Sequence, residues 1–140
     1  MQIKNRISAF QKEMTSWRHH FHEHPELAYK EINTSKKVVE LLKSFGIDNI
    51  EEGLGKTGIV ATLENGMGKS IGLRADMDAL PIFEENNDKK YKSKTDGKMH
   101  ACGHDGHTAM LLGAAKYLSE TKNFNGKVIF IFQPAEEGFA

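Results

Sequence analysis

The sequence predicts an α/β fold in which helices cover a sheet, and three observations support it. Apolar residues at helical spacing fill residues 2–22 and recur near residue 110. A continuous apolar run at residues 128–132 is typical of a strand buried on both faces of a helix-covered sheet. Two shorter strand-like segments lie between these regions. Helices and strands therefore follow one another as in layered α/β proteins, and no internal repeat or linker suggests a second domain.

The first two elements are predicted to be helices. The apolar spacing predicts one amphipathic helix over residues 2–22, which ends at His24-Pro25 because proline disfavours a helical residue before it. A second helix is expected from residues 33–35, whose side-chain oxygens can cap its N terminus, to Phe45. Gly46 is then the residue that ends this helix.

The rest of the chain predicts three strands and one helix. Residues 58–64 and 70–75 are expected to form a hairpin around a glycine-rich turn at 65–68. The polar residues 83–99 predict a loop. A helix is expected at residues 107–118, with Met110, Leu111, Ala114, Ala115 and Leu118 on its buried side, and the apolar run at 128–132 predicts the last strand.

Composition excludes several functions. Nineteen basic residues balance nineteen acidic ones, so there is no electrostatic argument for a nucleic acid or membrane partner. The only cysteine, Cys102, cannot form an internal disulfide, which favours a reducing cytoplasm. We see neither a signal peptide nor an apolar run long enough to cross a bilayer.

The segment from His100 to His107 is the most informative part of the chain. It contains Cys102 and His104, and a thiolate and an imidazole are ligands of first-row metals. The intervening glycine lets the backbone bend so that both side chains can point to one place. His100 and His107 could join the site, but we expect them instead to make hydrogen bonds that hold the ligands in place. The alternative is a small buried thiol beside a surface histidine.

Four carboxylates follow the predicted strands. Asp76 and Asp78 come after one strand, and Glu136 and Glu137 come after the last. Because ligands bind beyond the carboxyl ends of strands in open α/β sheets, we expect these residues to converge with the Cys102 segment. Adjacent glutamates can divide the roles of metal ligand and general base. The alternative is a charged surface turn.

We expect only one of Asp76 and Asp78 to face the site. That residue would bind metal or orient a ligating histidine, while the other caps a turn or pairs with Arg74. The histidine-rich tract at residues 19–24 straddles the predicted helix end. We therefore expect structural or exposed histidines there rather than a metal site.

Four motifs in order resemble the N-acyl-amino-acid amidohydrolase branch of the dinuclear metallopeptidases, which includes hippurate hydrolase and indole-acetyl-amino-acid hydrolases. They are HPEL at residues 24–27, RADMDALP at 74–81, HACGHDGH at 100–107 and QPAEEG at 133–138. The resemblance covers essentially the whole chain. It implies a helix-covered mixed sheet of the zinc-peptidase (aminopeptidase-like) type, truncated in this chain.

The resemblance also implies roles for individual residues. Cys102, His104 and Glu137 match metal ligands, Glu136 matches the general base, and Asp78 matches the aspartate that orients a ligand or steadies the metal pair. Two divalent ions are implied, with zinc expected and manganese or cobalt as alternatives. The substrates would be N-acyl amino acids, cleaved at the amide bond.

Asp76 stands where many relatives have a histidine, and together with Cys102 this favours the acyl-amino-acid branch over the carboxypeptidase branch. Family members are more than twice as long, form homodimers through a lid and dimerisation domain, and supply further histidine ligands. The resemblance therefore implies that residues 1–140 are the N-terminal part of the catalytic domain and that this chain alone is inactive or nearly so.

Two other functions remain open at this point. The chain could be a truncated, non-catalytic binding or assembly module. It could also be an amidase that uses Cys102 as its nucleophile, although the adjacent glutamates would then have no role.

Overall fold

The computed structural model describes residues 3–139 and confirms a mixed α/β architecture with a four-stranded sheet. The helices are α1 (Ile3–Ala9), α2 (Gln11–Glu23), α3 (Ile32–Ser44), α4 (His104–Thr121) and the short α5 (Glu136–Phe139). The strands are β1 (Ile50–Leu54), β2 (Gly58–Asn65), β3 (Ser70–Asp76) and β4 (Gly126–Gln133). None of the helices in residues 3–139 is both long and apolar enough to cross a membrane.

The first predicted helix is divided in two. Phe10 separates α1 from α2 with φ −86° and ψ −4°, and its side chain is buried. The Arg6 guanidinium and the Lys116 ammonium both lie over its ring, 4.5 and 4.6 Å from the centroid. The break therefore coincides with an aromatic anchor rather than with a helix-breaking residue. Residue 2 lies outside the described part of the chain, and α2 ends directly before His24-Pro25, as predicted.

The start of α3 differs from the prediction, whereas its end agrees. Asn33 and Thr34 lie inside the first turn, and the Glu26 carboxylate accepts hydrogen bonds from their backbone N–H groups at 3.1 and 2.7 Å. The capping oxygens thus come from the preceding loop, not from the helix itself. At the other end Gly46 has φ +77° and donates to the Lys43 carbonyl, which terminates the helix as expected.

The predicted hairpin is wrong. The strand order is β1-β2-β4-β3, so β4 lies between β2 and β3, antiparallel to the first and parallel to the second. A Cβ on Gly68 would collide with the Asn125 carbonyl, because the turn after β2 passes against the start of β4 instead of closing a hairpin. The sequence analysis also missed β1, which is mostly exposed and, within residues 3–139, pairs with β2 alone.

The strand β4 is buried on one face rather than on both. Phe130 and Phe132 are completely buried, whereas Ile129 and Ile131, on the opposite face, are only partly buried. The apolar core lies on the first face and joins the helices to the sheet. Its members include Trp17, Phe21, Val38, Leu42, Ile59, Ala61, Leu112, Ala115, Phe130 and Phe132.

The β3-α4-β4 unit positions the candidate site. Parallel neighbouring strands need a crossover connection, so the carboxyl ends of β3 and β4 and the start of α4 lie at one edge of the sheet. The connection includes residues 83–99, which contain no helix or strand, as predicted. The helix begins at His104, three residues earlier than expected, so His104 is its first residue.

Candidate metal centre

The structure brings together one histidine and the adjacent glutamates at this edge. The Nε2 atom of His104 lies 3.7 Å from Glu136 Oε2 and 3.7 Å from Glu137 Oε1. Cys102 is exposed beside them, and hydrogen bonding to the Glu137 carboxylate raises the pKa of its thiol. A thiol must lose its proton to bind a metal, so binding through Cys102 would release a proton.

Asp78 forms hydrogen bonds with both His104 and the backbone of the two glutamates. Its Oδ1 and Oδ2 atoms accept hydrogen bonds from the backbone N–H groups of Glu136 and Glu137, at 3.1 and 3.0 Å. The Nδ1 atom of His104 lies 2.8 Å from the Asp78 carbonyl and 3.2 Å from its Oδ1. These acceptors assign the imidazole proton to Nδ1. The lone pair of Nε2 is then on the side of the two glutamates and of Asp76, whose Oδ1 lies 3.6 Å away.

Asp76 has different partners. Its carboxylate lies 2.7 Å from Nδ1 of His107 and 3.1 Å from the Arg74 guanidinium. Burial opposes ionisation of Asp76, but the hydrogen bond with His107 and the nearby His104 outweigh it, so the pKa of this carboxyl is lowered. Both aspartates lie near His104, with Asp78 at Nδ1 and Asp76 Oδ1 3.6 Å from Nε2. Asp76 also contacts Arg74 and His107.

A divalent cation fits the first of two clusters of ligand-type atoms. Among the described residues, His104, Glu136 and Glu137 each offer an atom, and these atoms lie within 4.8 Å of one another; Asp76, His104 and His107 form a second such group. Glu137 Oε1 is buried and has no hydrogen-bond partner in the described structure. An unsatisfied buried carboxylate oxygen is unfavourable, and a bound cation would satisfy it.

The other two histidines of the segment do not make the contacts expected of them. His107 bonds Asp76 rather than one of the predicted ligands. His100 is buried, and neither of its ring nitrogens has a hydrogen-bond partner in the part of the chain that is described. Burial lowers the pKa of His100 to about 4, so its ring is neutral at physiological pH. Chain proximity alone therefore suggested contacts that folding does not make.

The sequence analysis missed two further residues that brace this region. Glu31 is completely buried and accepts a hydrogen bond from the Ala135 N–H in the turn before Glu136. His22, from the histidine-rich tract, is buried, whereas His20 and His24 are exposed. The only available signal was that both belong to the polar segment around the HPEL motif. The partners Ala135 of Glu31 and Glu84 of His22 are 104 and 62 residues away in sequence.

His22 lies between two buried carboxylates. Its Nδ1 is 2.9 Å from Asp105 Oδ2, and its Nε2 is 3.2 Å from both oxygens of Glu84. Both ring nitrogens can donate only in the protonated form, and the hydrogen bond to Asp105 is the main cause that raises the pKa of His22. Arg18 and Lys89 also approach these carboxylates, at 3.3 Å from Asp105 Oδ2 and 3.5 Å from Glu84 Oε1. This network joins α2 to the start of α4, one residue from His104.

We predict that His22 makes stability depend on pH on the alkaline side. Its pKa is higher in the folded protein than its ordinary value of 6.5, so the stabilisation is complete below about pH 6.5 and is lost as the pH rises through the raised value. His22→Gln should destabilise the protein at pH 6 by about 1.5–3 kcal/mol, because charge-assisted hydrogen bonds are lost. Urea unfolding from pH 6 to 9 measures this.

The matched control is His20→Gln, which changes an exposed histidine of the same helix. It should leave the alkaline loss of stability in place. Equal pH profiles for wild type and His22→Gln would contradict the assignment of an imidazolium at this position.

This fold and cluster of ligand-type side chains are typical of the class of α/β metallohydrolases. Residues 72–140 match the model of the peptidase family M20/M25/M40. The chain is 53% identical over 139 residues to the hippurate hydrolase of Campylobacter jejuni, covering 99% of this chain and 36% of that protein. It is 49% identical over 138 residues to thermostable carboxypeptidase 1 of Saccharolobus solfataricus, covering 96% and 35%.

The fold is also that of a solved relative. The structure superposes on the crystal structure of the Bacillus subtilis YXEP protein, a dinuclear metal binding peptidase from the M20 family, with a TM-score of 0.87 and 44% identity. The match covers 93% of this chain and 36% of that one. Residues 72–140 therefore match the peptidase family M20/M25/M40, and the chain spans about a third of the length of these relatives.

Proposed function

We propose that this chain is the N-terminal part of the catalytic domain of a metal-dependent amidohydrolase that cleaves N-acyl amino acids. The convergence of His104 Nε2 with Glu136 and Glu137, all held by Asp78, carries this proposal. The similarity to a hippurate hydrolase favours acyl amino acids. The nearly equal similarity to a carboxypeptidase means that identity alone does not separate the two substrate classes.

The metal ligands in this chain would be Cys102, His104 and Glu137. The donor set combines sulfur, nitrogen and oxygen, which favours zinc, with manganese or cobalt as alternatives. A relative with this fold is dinuclear, and we propose two divalent ions here as well. When bound, such ions polarise the amide carbonyl and acidify a water molecule.

Glu136 is the proposed general base. Its side chain is 38% exposed, so water can reach it, and its Oε2 lies beside His104 Nε2. Glu136 takes a proton from the attacking water as the new carbon–oxygen bond forms. It then delivers that proton to the amide nitrogen as the carbon–nitrogen bond breaks. The products are a carboxylate and a free amino acid, and Asp78 keeps the participating groups aligned.

The thiol-nucleophile alternative is less well supported. A nucleophilic cysteine needs a lowered pKa, whereas the neighbouring Glu137 carboxylate raises the pKa of Cys102.

We also propose the assembly and location of the complete gene product. The relatives are nearly three times as long as the match, which leaves room for a lid and dimerisation domain and for the remaining ligands. A homodimer and a cytoplasmic location are proposed, the latter because the single cysteine is free and exposed.

Metal removal tests the proposed function directly. We expect the complete gene product to hydrolyse N-benzoylglycine, to lose activity by at least about 100-fold after dialysis against a chelator, and to regain it with zinc, manganese or cobalt. Amino acid release measures the reaction, and a peptide with a free C terminus serves as the competing substrate.

Activity that survives complete removal of metal would contradict the proposal. Faster cleavage of the peptide than of N-benzoylglycine would move the substrate class to the carboxypeptidase branch.

A further inference from the structure

The turn that carries Glu136 and Glu137 is held by two buried carboxylates. Three successive backbone N–H groups, from residue 135 to residue 137, each donate to one of them. Asp78 accepts from the last two, and Glu31 accepts from Ala135 at 2.9 Å. Glu31 comes from the start of α3, 104 residues away in sequence, and is 0% exposed. Its other oxygen accepts a hydrogen bond from the Thr57 hydroxyl at 2.5 Å.

Ala135 needs such support because its backbone is strained. Its φ is +56°, in the left-handed region where a residue with a Cβ is disfavoured. This conformation bends the chain directly after β4 and Pro134, so that the next two residues face His104. Ala135 is also buried, so its N–H would have no access to water without the Glu31 oxygen.

Glu31 is an unusual choice for a residue that only fills space. Burial of a carboxylate is costly unless hydrogen bonds compensate for it, and the donors recorded for Glu31 are a neutral hydroxyl and a neutral amide. An apolar side chain would fill the same volume at lower cost. The carboxylate does provide a hydrogen-bond acceptor for the strained turn, and it is fixed in place because Glu31 directly precedes α3. In the same segment Glu26 has a different task, since it caps α3.

We propose that Glu31 is a positioning residue that holds Ala135 in its left-handed conformation and thereby aims Glu136 and Glu137 at the metal centre. The roles of those two glutamates rest on the proposed function. Glu31 itself touches neither the ligands nor the reacting atoms. Its effect passes through one backbone hydrogen bond.

The experiment compares three variants of the complete gene product. Glu31→Met removes both acceptors at similar volume. Thr57→Val is the matched control, because it removes the other hydrogen bond to Glu31 and leaves the Ala135 bond in place. Glu31→Met combined with Ala135→Gly tests rescue, since glycine adopts the left-handed conformation without strain.

For Glu31→Met we expect kcat to fall at least about tenfold with KM within about threefold, and the zinc dissociation constant to rise about tenfold. Thr57→Val should lower the melting temperature but keep kcat and zinc affinity within about twofold. Adding Ala135→Gly to Glu31→Met should recover at least about threefold in kcat. Unchanged kcat and zinc affinity in Glu31→Met, equal losses in Thr57→Val, or no recovery with glycine would overturn the proposal.

Two readouts are independent of catalysis. Zinc affinity is measured by titration calorimetry, so it still tests Glu31 if the wild-type protein does not cleave acyl amino acids and the proposed function fails. Hydrogen exchange of the wild-type Ala135 amide needs no variant and so remains valid if Glu31→Met does not fold. We expect this amide to exchange as slowly as those of β4, and rapid exchange would overturn the proposal.

Discussion

Glu136→Gln should reduce kcat for N-acyl amino acid hydrolysis by about 10²–10⁴-fold, the usual contribution of a general base. Glutamine has nearly the same shape but cannot accept the proton of the attacking water. The Glu136 N–H bond to Asp78 involves only the backbone, so the turn should keep its geometry. Steady-state kinetics on N-benzoylglycine, with metal content measured by atomic emission, provide the test.

Glu137→Gln is the comparison for this variant. It changes the adjacent residue, whose buried Oε1 has no hydrogen-bond partner within residues 3–139, and should lower metal content as well as activity. Glu136→Gln, in contrast, should retain its metal. If Glu136→Gln kept full amidase activity, the assignment of the general base would fail.

Asp78→Asn should weaken metal binding by about 10–100-fold and reduce kcat at least as strongly. The carboxylate of Asp78 accepts hydrogen bonds from two backbone N–H groups and from His104 Nδ1. The backbone carbonyl of Asp78 accepts from the same imidazole nitrogen. In asparagine one oxygen becomes an NH₂ group, which would face a donor on either side. Because Asp78 is 1% exposed, water cannot readily relieve that conflict. Metal titration and kinetics on the same preparation measure both effects.

Asp76→Asn is the matched control for Asp78→Asn. Asp76 is also buried and its Oδ1 lies 3.6 Å from His104 Nε2, but its hydrogen bond is with His107, its ion pair is with Arg74, and among the described residues it accepts no hydrogen bond from the turn at residues 136–137. We expect a smaller loss of metal affinity. A larger loss in Asp76→Asn than in Asp78→Asn would reverse the roles of the two aspartates.

The local patterns in the sequence predicted most elements but not their pairing. Apolar periodicity and the proline at residue 25 marked the end of α2, and Gly46 marked the end of α3, because these signals act within one turn of helix. The hairpin was wrong because adjacency in sequence does not establish pairing. The strand β4 lies between these two segments in the sheet, although it follows them in sequence, after the crossover through α4.

The candidate site shows the same division between local and long-range information. The position of each carboxylate after a strand correctly predicted that Asp78, His104, Glu136 and Glu137 come together. The supporting residues were not predictable in this way. Glu31 and His22 reach their partners across 104 and 83 residues, and a buried acidic or histidine side chain looks the same in sequence as an exposed one.

The sequence by itself determined the α/β class and identified the residues, Cys102 among them, that we propose as the metal centre. It did so because residue chemistry and local spacing are properties of short segments. The tertiary structure alone decided that β4 separates β2 from β3, that Asp78 rather than Asp76 faces His104 Nδ1, and that Glu31 holds the turn before Glu136. Each of these depends on hydrogen bonds between distant segments, whose partners are set only when the sheet and helices pack together.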